Sequence, residues 1–253
     1  MSIAAPNFSL AGKRALITGS SRGIGLALAT AMGKSGATIV LNGRDETPLR
    51  NVTAELTAEG IAVSSHAFDV TDEAGVQGAA EAIGAIDILV NNAGIQRRAA
   101  LAEMSLDDWN AVLTTNLTSA FLVSRAFVGG MIERRSGKII NICSLMSDLA
   151  RPTTGNYAAA KGGLRMLTRA MCGEWAQHNI QVNGIGPGYF ETELTAPLVA
   201  DPKFDSWIRG RTPAGRWGKL EDLTGAAVYM ASPASDFLNG QILMIDGGLT
   251  AVV

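Results

Sequence analysis

Along the chain, short runs of aliphatic and β-branched residues alternate with longer segments whose apolar positions recur every three or four residues. The runs cover residues 14–17, 38–41, 63–68, 86–90, 138–142, 180–184 and 241–245, and each is read as a strand. The segments between them, 23–35, 47–59, 71–83, 109–134, 157–178 and 221–231, are long enough for helices and carry apolar residues at helical spacing. A strand that feeds a helix before the next strand needs a crossover connection. The alternation therefore predicts an α/β protein, a doubly wound parallel sheet of about seven strands with helices on both faces. No repeat, low-complexity tract or Pro/Ser-rich linker interrupts it, so residues 1–253 are read as a single domain. The least regular stretch, 189–220, is read as a substrate lid, as a pair of short packing helices, or as both.

Composition and charge narrow the function class. With 47% hydrophobic and 17% charged residues, the chain is a compact globular protein rather than a disordered one. A net charge of −2, and no Lys/Arg cluster beyond Arg97-Arg98 and Arg134-Arg135, give no electrostatic footprint for nucleic acid. Two cysteines, Cys143 and Cys172, make neither a disulfide framework nor a metal-ligand set, and both are expected to be buried thiols. No segment approaches the ~18 uninterrupted apolar residues a membrane span requires, and residues 1–12 lack the basic lead and apolar run of a signal peptide. A cytoplasmic location without membrane partners is expected. His66 and His178 fall far from the motifs below, and His178 is read as a partner of a helix dipole.

Directly after the first strand stands Thr18-Gly19-Ser20-Ser21-Arg22-Gly23-Ile24-Gly25, which opens a helix. Glycine permits a tight turn with positive φ, and brings backbone N–H groups and a helix N-terminus close to a pyrophosphate. Three glycines alone are a weak signal in a chain with 29 of them, but the strand-loop-helix context strengthens it. The second strand ends Leu41-Asn42-Gly43-Arg44, with no acid before Asp45. Where a carboxylate would favour NAD, Arg44 and Arg22 instead suit the extra phosphate of NADP; the alternative is two solvated arginines. Asp69-Val70 and Asn91-Asn92-Ala93-Gly94 follow the third and fourth strands, on the edge where open parallel sheets bind ligands. Asp69 is read either as a partner of the adenine amino group or as a turn or cap residue.

The fifth strand leads into Cys143-Ser144, and a helix begins near Tyr157-Ala158-Ala159-Ala160-Lys161. Residues four apart share a helix face, which places the Lys161 ammonium near the Tyr157 phenol. A close cation favours the phenolate and makes proton exchange with an alcohol feasible, while Ser144 can orient the same oxygen. Taken with Asn116, Pro187-Gly188 and the glycine loop, in this order and spacing, the chain resembles the short-chain dehydrogenases/reductases across nearly its whole length. The resemblance implies a Rossmann-type sheet and a tetrad of Asn116, Ser144, Tyr157 and Lys161. In it, Tyr157 exchanges the proton, Ser144 holds the substrate oxygen, Lys161 binds the nicotinamide ribose and lowers the phenol pKa, and Asn116 supports a relay water. Thr192 would contact the cofactor. Hydride would pass directly between nicotinamide and substrate, with no metal required, in an assembly packed as a homotetramer or dimer through the long helices.

Longer stretches, among them Gly94-Ile95-Gln96-Arg97-Arg98 and Pro187-Gly188-Tyr189-Phe190-Glu191-Thr192-Glu193, resemble the members of that family that act on sugar acids. This implies interconversion of D-gluconate and 5-keto-D-gluconate. A sugar acid needs a cation for its carboxylate, and Arg97, its neighbour Arg98, and Arg151 are the candidates. Glu191 and Glu193 have no assigned role. The competing readings are a reductase of 3-oxoacyl groups carried on an acyl carrier protein, and a dinucleotide sensor without turnover.

Overall fold

A computed structural model describes residues 5–193 and 195–252. The strands are β1 (Arg14–Ile17), β2 (Thr38–Gly43), β3 (Val63–Ala67), β4 (Ile88–Asn91), β5 (Gly137–Ile142), β6 (Ile180–Pro187) and β7 (Ile242–Ile245). They form one seven-stranded sheet in the order β3-β2-β1-β4-β5-β6-β7, parallel at every pairing. The helices are α1 (Gly23–Lys34), α2 (Glu46–Ala58), α3 (Glu73–Ile83), α4 (Leu106–Leu113), α5 (Ser119–Arg134), α6 (Gly155–Trp175), α7 (Ala196–Val199), α8 (Pro202–Arg211) and α9 (Glu221–Ala231).

The period-two alternation of each strand sends side chains to two separate cores. Ala15, Ile17, Ile39, Leu41, Ile88, Val90, Ile140 and Ile185 meet Leu28 and Met32 of α1, Leu49 and Leu56 of α2, and Leu223 and Met230 of α9. Leu16, Val40, Leu89, Ile139 and Val182 face the other way, onto Val76 of α3, Val123, Phe127 and Met131 of α5, and Met171 of α6. Connections run outward in opposite directions from β1 and β4, which lie side by side. At such a switch point the loops leaving the two strand ends diverge and open a crevice.

The helix expected over residues 109–134 is divided. A π-helical turn, Thr114–Thr118, joins α4 to α5. As one continuous helical run, Leu106–Arg134 is long and apolar enough by length and composition to cross a membrane, although Asn110, Thr114, Thr115 and Asn116 keep it from being an uninterrupted apolar segment. Half of its most apolar window is buried, with Val123, Phe127, Val128 and Met131 against the sheet; its apolar character belongs to a core helix. Cys143 is buried as expected, whereas Cys172 is only partly covered, because it faces Gly240, which has no side chain to close over it. The stretch 189–220 contains α7 and α8, held by an aromatic cluster. The rings of Tyr189, Phe204, Trp207 and Trp217 lie with centroids 5.5 to 6.2 Å apart, and the Trp217 indole donates to Asp205 Oδ1 at 2.8 Å.

Candidate active site

The glycine loop closes against the end of β4. Gly19 and Gly23 have φ of 60° and 57°, in the region that favours glycine. A Cβ on Gly19 would lie 2.9 Å from Ala93 Cα, and one on Gly25 would lie 2.5 Å from both the Gly19 carbonyl oxygen and Asn92 Nδ2. Bare backbone is therefore needed for this approach. Asn92 Nδ2 donates to the carbonyls of Thr18 and Gly19, each at 2.9 Å, and Thr18 Oγ1 accepts from the N–H groups of Asn92 and Ala93 at 2.9 and 3.0 Å. Gly23 differs, since a Cβ there would meet nothing within 4 Å. Open space at the start of α1, beside backbone donors, fits the pyrophosphate of a dinucleotide. Ile24, partly buried, packs against one core, and Val70 is buried in the other. Ser21 lies in the loop beside Gly43.

Buried Asn42 braces this loop from β2, accepting from the Gly19 N–H at 3.2 Å and donating to the Phe68 carbonyl at 3.0 Å. Arg44 follows, exposed at the strand end. Arg22 is exposed and pairs with Glu193 at 3.1 Å, which gives the unassigned glutamate a partner across the crevice. Asp69 accepts from the Thr71 N–H at 2.8 Å and its hydroxyl at 2.7 Å, so the turn reading is realised at one oxygen. Burial pushes its carboxyl up, but these hydrogen bonds and the Arg44 charge outweigh it and leave the group below the usual carboxylate range. Asn91 is buried, and its Nδ2 donates to Asn141 Oδ1 and Ser124 Oγ, each at 2.9 Å.

Ser144 is set by a capping box at the end of β5. Its Oγ accepts from the Met146 N–H at 3.1 Å, and its own N–H donates to Ser147 Oγ at 3.3 Å. Tyr157 stands in the first turn of α6, with Lys161 one turn on, its Nζ 5.6 Å from the phenol ring centroid. The ammonium donates to the Ile142 carbonyl at 2.6 Å, which gathers Ser144, Tyr157 and Lys161 at one strand end. Asn116 lies in the π turn, buried. Its amide accepts from the Ile95 N–H at 2.7 Å and donates to the Ile95 carbonyl at 2.8 Å, and Gly94 leaves room for it, since a Cβ there would lie 3.2 Å from Asn116 Oδ1.

Burial brings the Lys161 ammonium down to about 8. It also pushes the Tyr157 phenol up, while the Ser144 hydroxyl beside it pulls it back only in part. The phenol therefore lies above its ordinary value, where the resemblance implies that it would be lowered.

The three candidate arginines stand in different surroundings. Arg97 is held at the surface by Asp108 at 2.7 Å; that partner, in the first turn of α4, is too far along the chain to suggest itself. Burial and then the Arg151 charge lower the Arg98 guanidinium, and burial raises the Tyr189 phenol while Arg151 and Arg98 draw it down. The Arg151 guanidinium lies 4.9 Å over the ring of Phe204 in α8. Gly188 is pinned by its N–H to the Ile245 carbonyl at 2.9 Å, beyond Pro187 at the end of β6. The Thr192 hydroxyl lies 3.0 Å from that of Thr195. Among the described residues no three His, Cys, Asp or Glu side chains converge as a metal site. Sequence reading missed Asn156, which precedes Tyr157 and is completely buried. Its signal was an Asn in the first helical turn, a residue type that prefers to bond nearby backbone.

Residues 13–203 match the short chain dehydrogenase family. The chain is 52% identical over 247 residues to gluconate 5-dehydrogenase of Gluconobacter oxydans, covering 96% of each. It is 51% identical over 250 residues to 5-keto-D-gluconate 5-reductase of Escherichia coli K12, covering 97% of this chain and 98% of that one. A crystal structure of a gluconate 5-dehydrogenase from Burkholderia cenocepacia in complex with NADP and tartrate superposes with a TM-score of 0.95 at 54% identity, over 97% and 98% of the two chains. The glycine loop at the switch point, the serine-tyrosine-lysine grouping at the end of β5 and these likenesses over nearly the full length agree: this chain belongs to the short-chain dehydrogenase family of oxidoreductases.

Proposed function

We propose that this protein transfers hydride between NADP(H) and a polyhydroxy acid, interconverting D-gluconate and 5-keto-D-gluconate. The observation that carries the substrate class is that two of the three candidate arginines, Arg98 and Arg151, have no carboxylate partner among the described residues: Arg98 donates to the Gln96 amide oxygen at 2.9 Å, and the Arg151 guanidinium lies 4.9 Å over the ring of Phe204, itself 5.6 Å from that of Tyr189. A substrate carboxylate is a fitting partner for either, whereas Arg97 already pairs with Asp108. The names of the relatives, and the NADP and tartrate in the solved neighbour, support the same class.

When bound, the dinucleotide supplies or takes the hydride. Residues Gly19 to Gly25 would hold its pyrophosphate, Asn42 and Arg44 its adenosine ribose and phosphate with Arg22, and Asp69-Val70 its adenine. Asn91, Ala93 and Gly94 would face the central part, and Pro187, Gly188 and Thr192 the nicotinamide. In reduction Tyr157 gives its proton to the keto oxygen, and its raised pKa keeps that proton in place at neutral pH. Ser144 Oγ holds the same oxygen. The Lys161 charge favours the phenolate left behind and binds the nicotinamide ribose, and Asn116 supports the water that returns the proton. Residues 189–220 serve as the lid, with Arg151 under Phe204 as its contact. Exposed Phe121 on α5 and Met166 on α6 support packing of the long helices in a homotetramer.

Two measurements test the cofactor end. Arg44→Ala is expected to weaken NADPH binding on the order of tenfold or more while leaving NADH unchanged, as follows from loss of a charge-assisted bond; an unaltered preference would remove Arg44 from the site. For Lys161, activity and stability should part company above pH 8. Its charge is present below about 8 and lost above it, so kcat/KM for NADPH, which reports groups of the free enzyme, should fall as pH rises through that value. Between about 8 and the ordinary lysine value of 10.5 the folded state binds fewer protons than the unfolded one, so stability relative to Lys161→Met should rise with pH. A flat profile in both would show that Lys161 does not titrate there. The carrier-protein reading is tested by NADPH oxidation with 5-keto-D-gluconate beside an acetoacetyl thioester; turnover of the thioester alone would replace the sugar acid.

A further inference from the structure

Asn156 takes no part in the chemistry assigned above, yet it uses both ends of its amide in a position closed to water. Its Oδ1 accepts the Tyr157 N–H at 2.8 Å, and its Nδ2 donates to the carbonyl oxygens of Arg97 at 3.0 Å and Asp108 at 3.3 Å. Those carbonyls bracket residues 98–107, the second half of the connection from β4 together with the start of α4, and Arg98 is the first residue of that span. The side chains of Arg97 and Asp108 also pair, but this contact is exposed and contributes little. The buried amide is the firmer fastening, because its own polar groups would otherwise be left without partners. The loop also seats closely on α6: a Cβ on Gly155 would lie 2.4 Å from the Leu101 side chain.

One side chain is thus bonded on one side to the residue that carries the proton and on the other to the residue next to the carboxylate anchor. We propose that Asn156 is a positioning residue that sets which carbon of the substrate faces Tyr157. The inference rests on the sugar-acid reading, in which Arg98 fixes one end of an extended chain and Tyr157 acts on a carbon several bonds away. The distance between them is a ruler, and Asn156 keeps its two marks apart. A slackened ruler would let a neighbouring position of the chain reach the phenol, since orientation errors of about an ångström are costly at a reacting centre.

The test measures reduction by NADPH of 5-keto-D-gluconate, of its 2-keto isomer, and of a neutral diketone without a carboxylate, in wild type, Asn156→Ala and Asn156→Ser. The expected result for Asn156→Ala is a fall of about tenfold or more in the ratio of kcat/KM for the 5-keto over the 2-keto isomer. KM for the 5-keto acid should rise more than kcat falls, while turnover of the diketone and the NADPH dissociation constant hold within about twofold. Equal losses on all three carbonyl compounds would make Asn156 a structural residue only and overturn the proposal, as would an unchanged isomer ratio. Should the alanine variant not fold, the serine variant, whose hydroxyl can still accept from the Tyr157 N–H, carries the same comparison. Wild type that reduces neither isomer refutes the sugar-acid reading and the ruler with it. Wild type that prefers the 5-keto isomer, with variants that keep that preference, refutes the ruler alone.

Discussion

Tyr157→Phe is expected to lower kcat by about a thousandfold, the middle of the range that a positioned proton donor contributes, equivalent to ~4 kcal/mol of barrier. The substitution keeps the ring that faces the Lys161 ammonium at 5.6 Å and removes only the hydroxyl beside Ser144. Packing should be preserved, and NADPH should bind within a few-fold of wild type, as titrated by quenching of protein fluorescence. Loss of turnover with binding intact assigns the phenol to the proton-transfer step. Turnover retained above one tenth would remove Tyr157 from that role. A protein that binds NADPH and turns over no carbonyl compound, with or without the hydroxyl, would instead be a sensor.

The second large effect is expected from a single methyl group. Gly25→Ala places a Cβ 2.5 Å from the Gly19 carbonyl oxygen and from Asn92 Nδ2, and the first of these is backbone that cannot step aside alone. Either the glycine loop shifts away from β4 or α1 moves outward. Overpacking of this kind costs about 1–3 kcal/mol. If the strain falls on the loop that would cradle the pyrophosphate, NADPH affinity drops by about ten- to a hundredfold. Calorimetric titration and a thermal melt read the two quantities separately. Gly23→Ala is the informative contrast: its Cβ meets no protein atom but must adopt a φ of 57°. A Gly25→Ala protein that binds NADPH like the wild type would show that the loop is looser than its contacts imply.

Much of the fold was legible because the inner strands are buried on both faces and stand out as apolar runs, whereas the edge strand β3, Val63-Ser64-Ser65-His66-Ala67, is only partly covered. β1 and α9 occupy the residues expected of them. β6 runs on to Pro187 rather than stopping at residue 184, because pairing with β5 and β7 carries its glycines past the point where local preference would end it. The candidate site was legible where chemistry depends on spacing along the chain, as in the glycine loop and the Tyr157 and Lys161 pair. It was not legible where partners come from distant elements. Arg97 reads as free until Asp108 is folded against it, Glu193 has no evident role until Arg22 lies opposite, and Asn156 gains its meaning only from carbonyls 59 and 48 residues away.

The π turn at Thr114–Thr118 makes the position of Asn116 depend on the length of the chain as well as its identity. A π turn is a one-residue insertion in helical register, and removing one residue from it would restore an ordinary α-helix. The helix on either side would keep its face, so Val123, Phe127 and Met131 of α5 would stay on the sheet they cover, while Asn116 would lose the widened backbone from which it grips Ile95. The turn is therefore an adjustment local to the site, separable from the core helix that follows it.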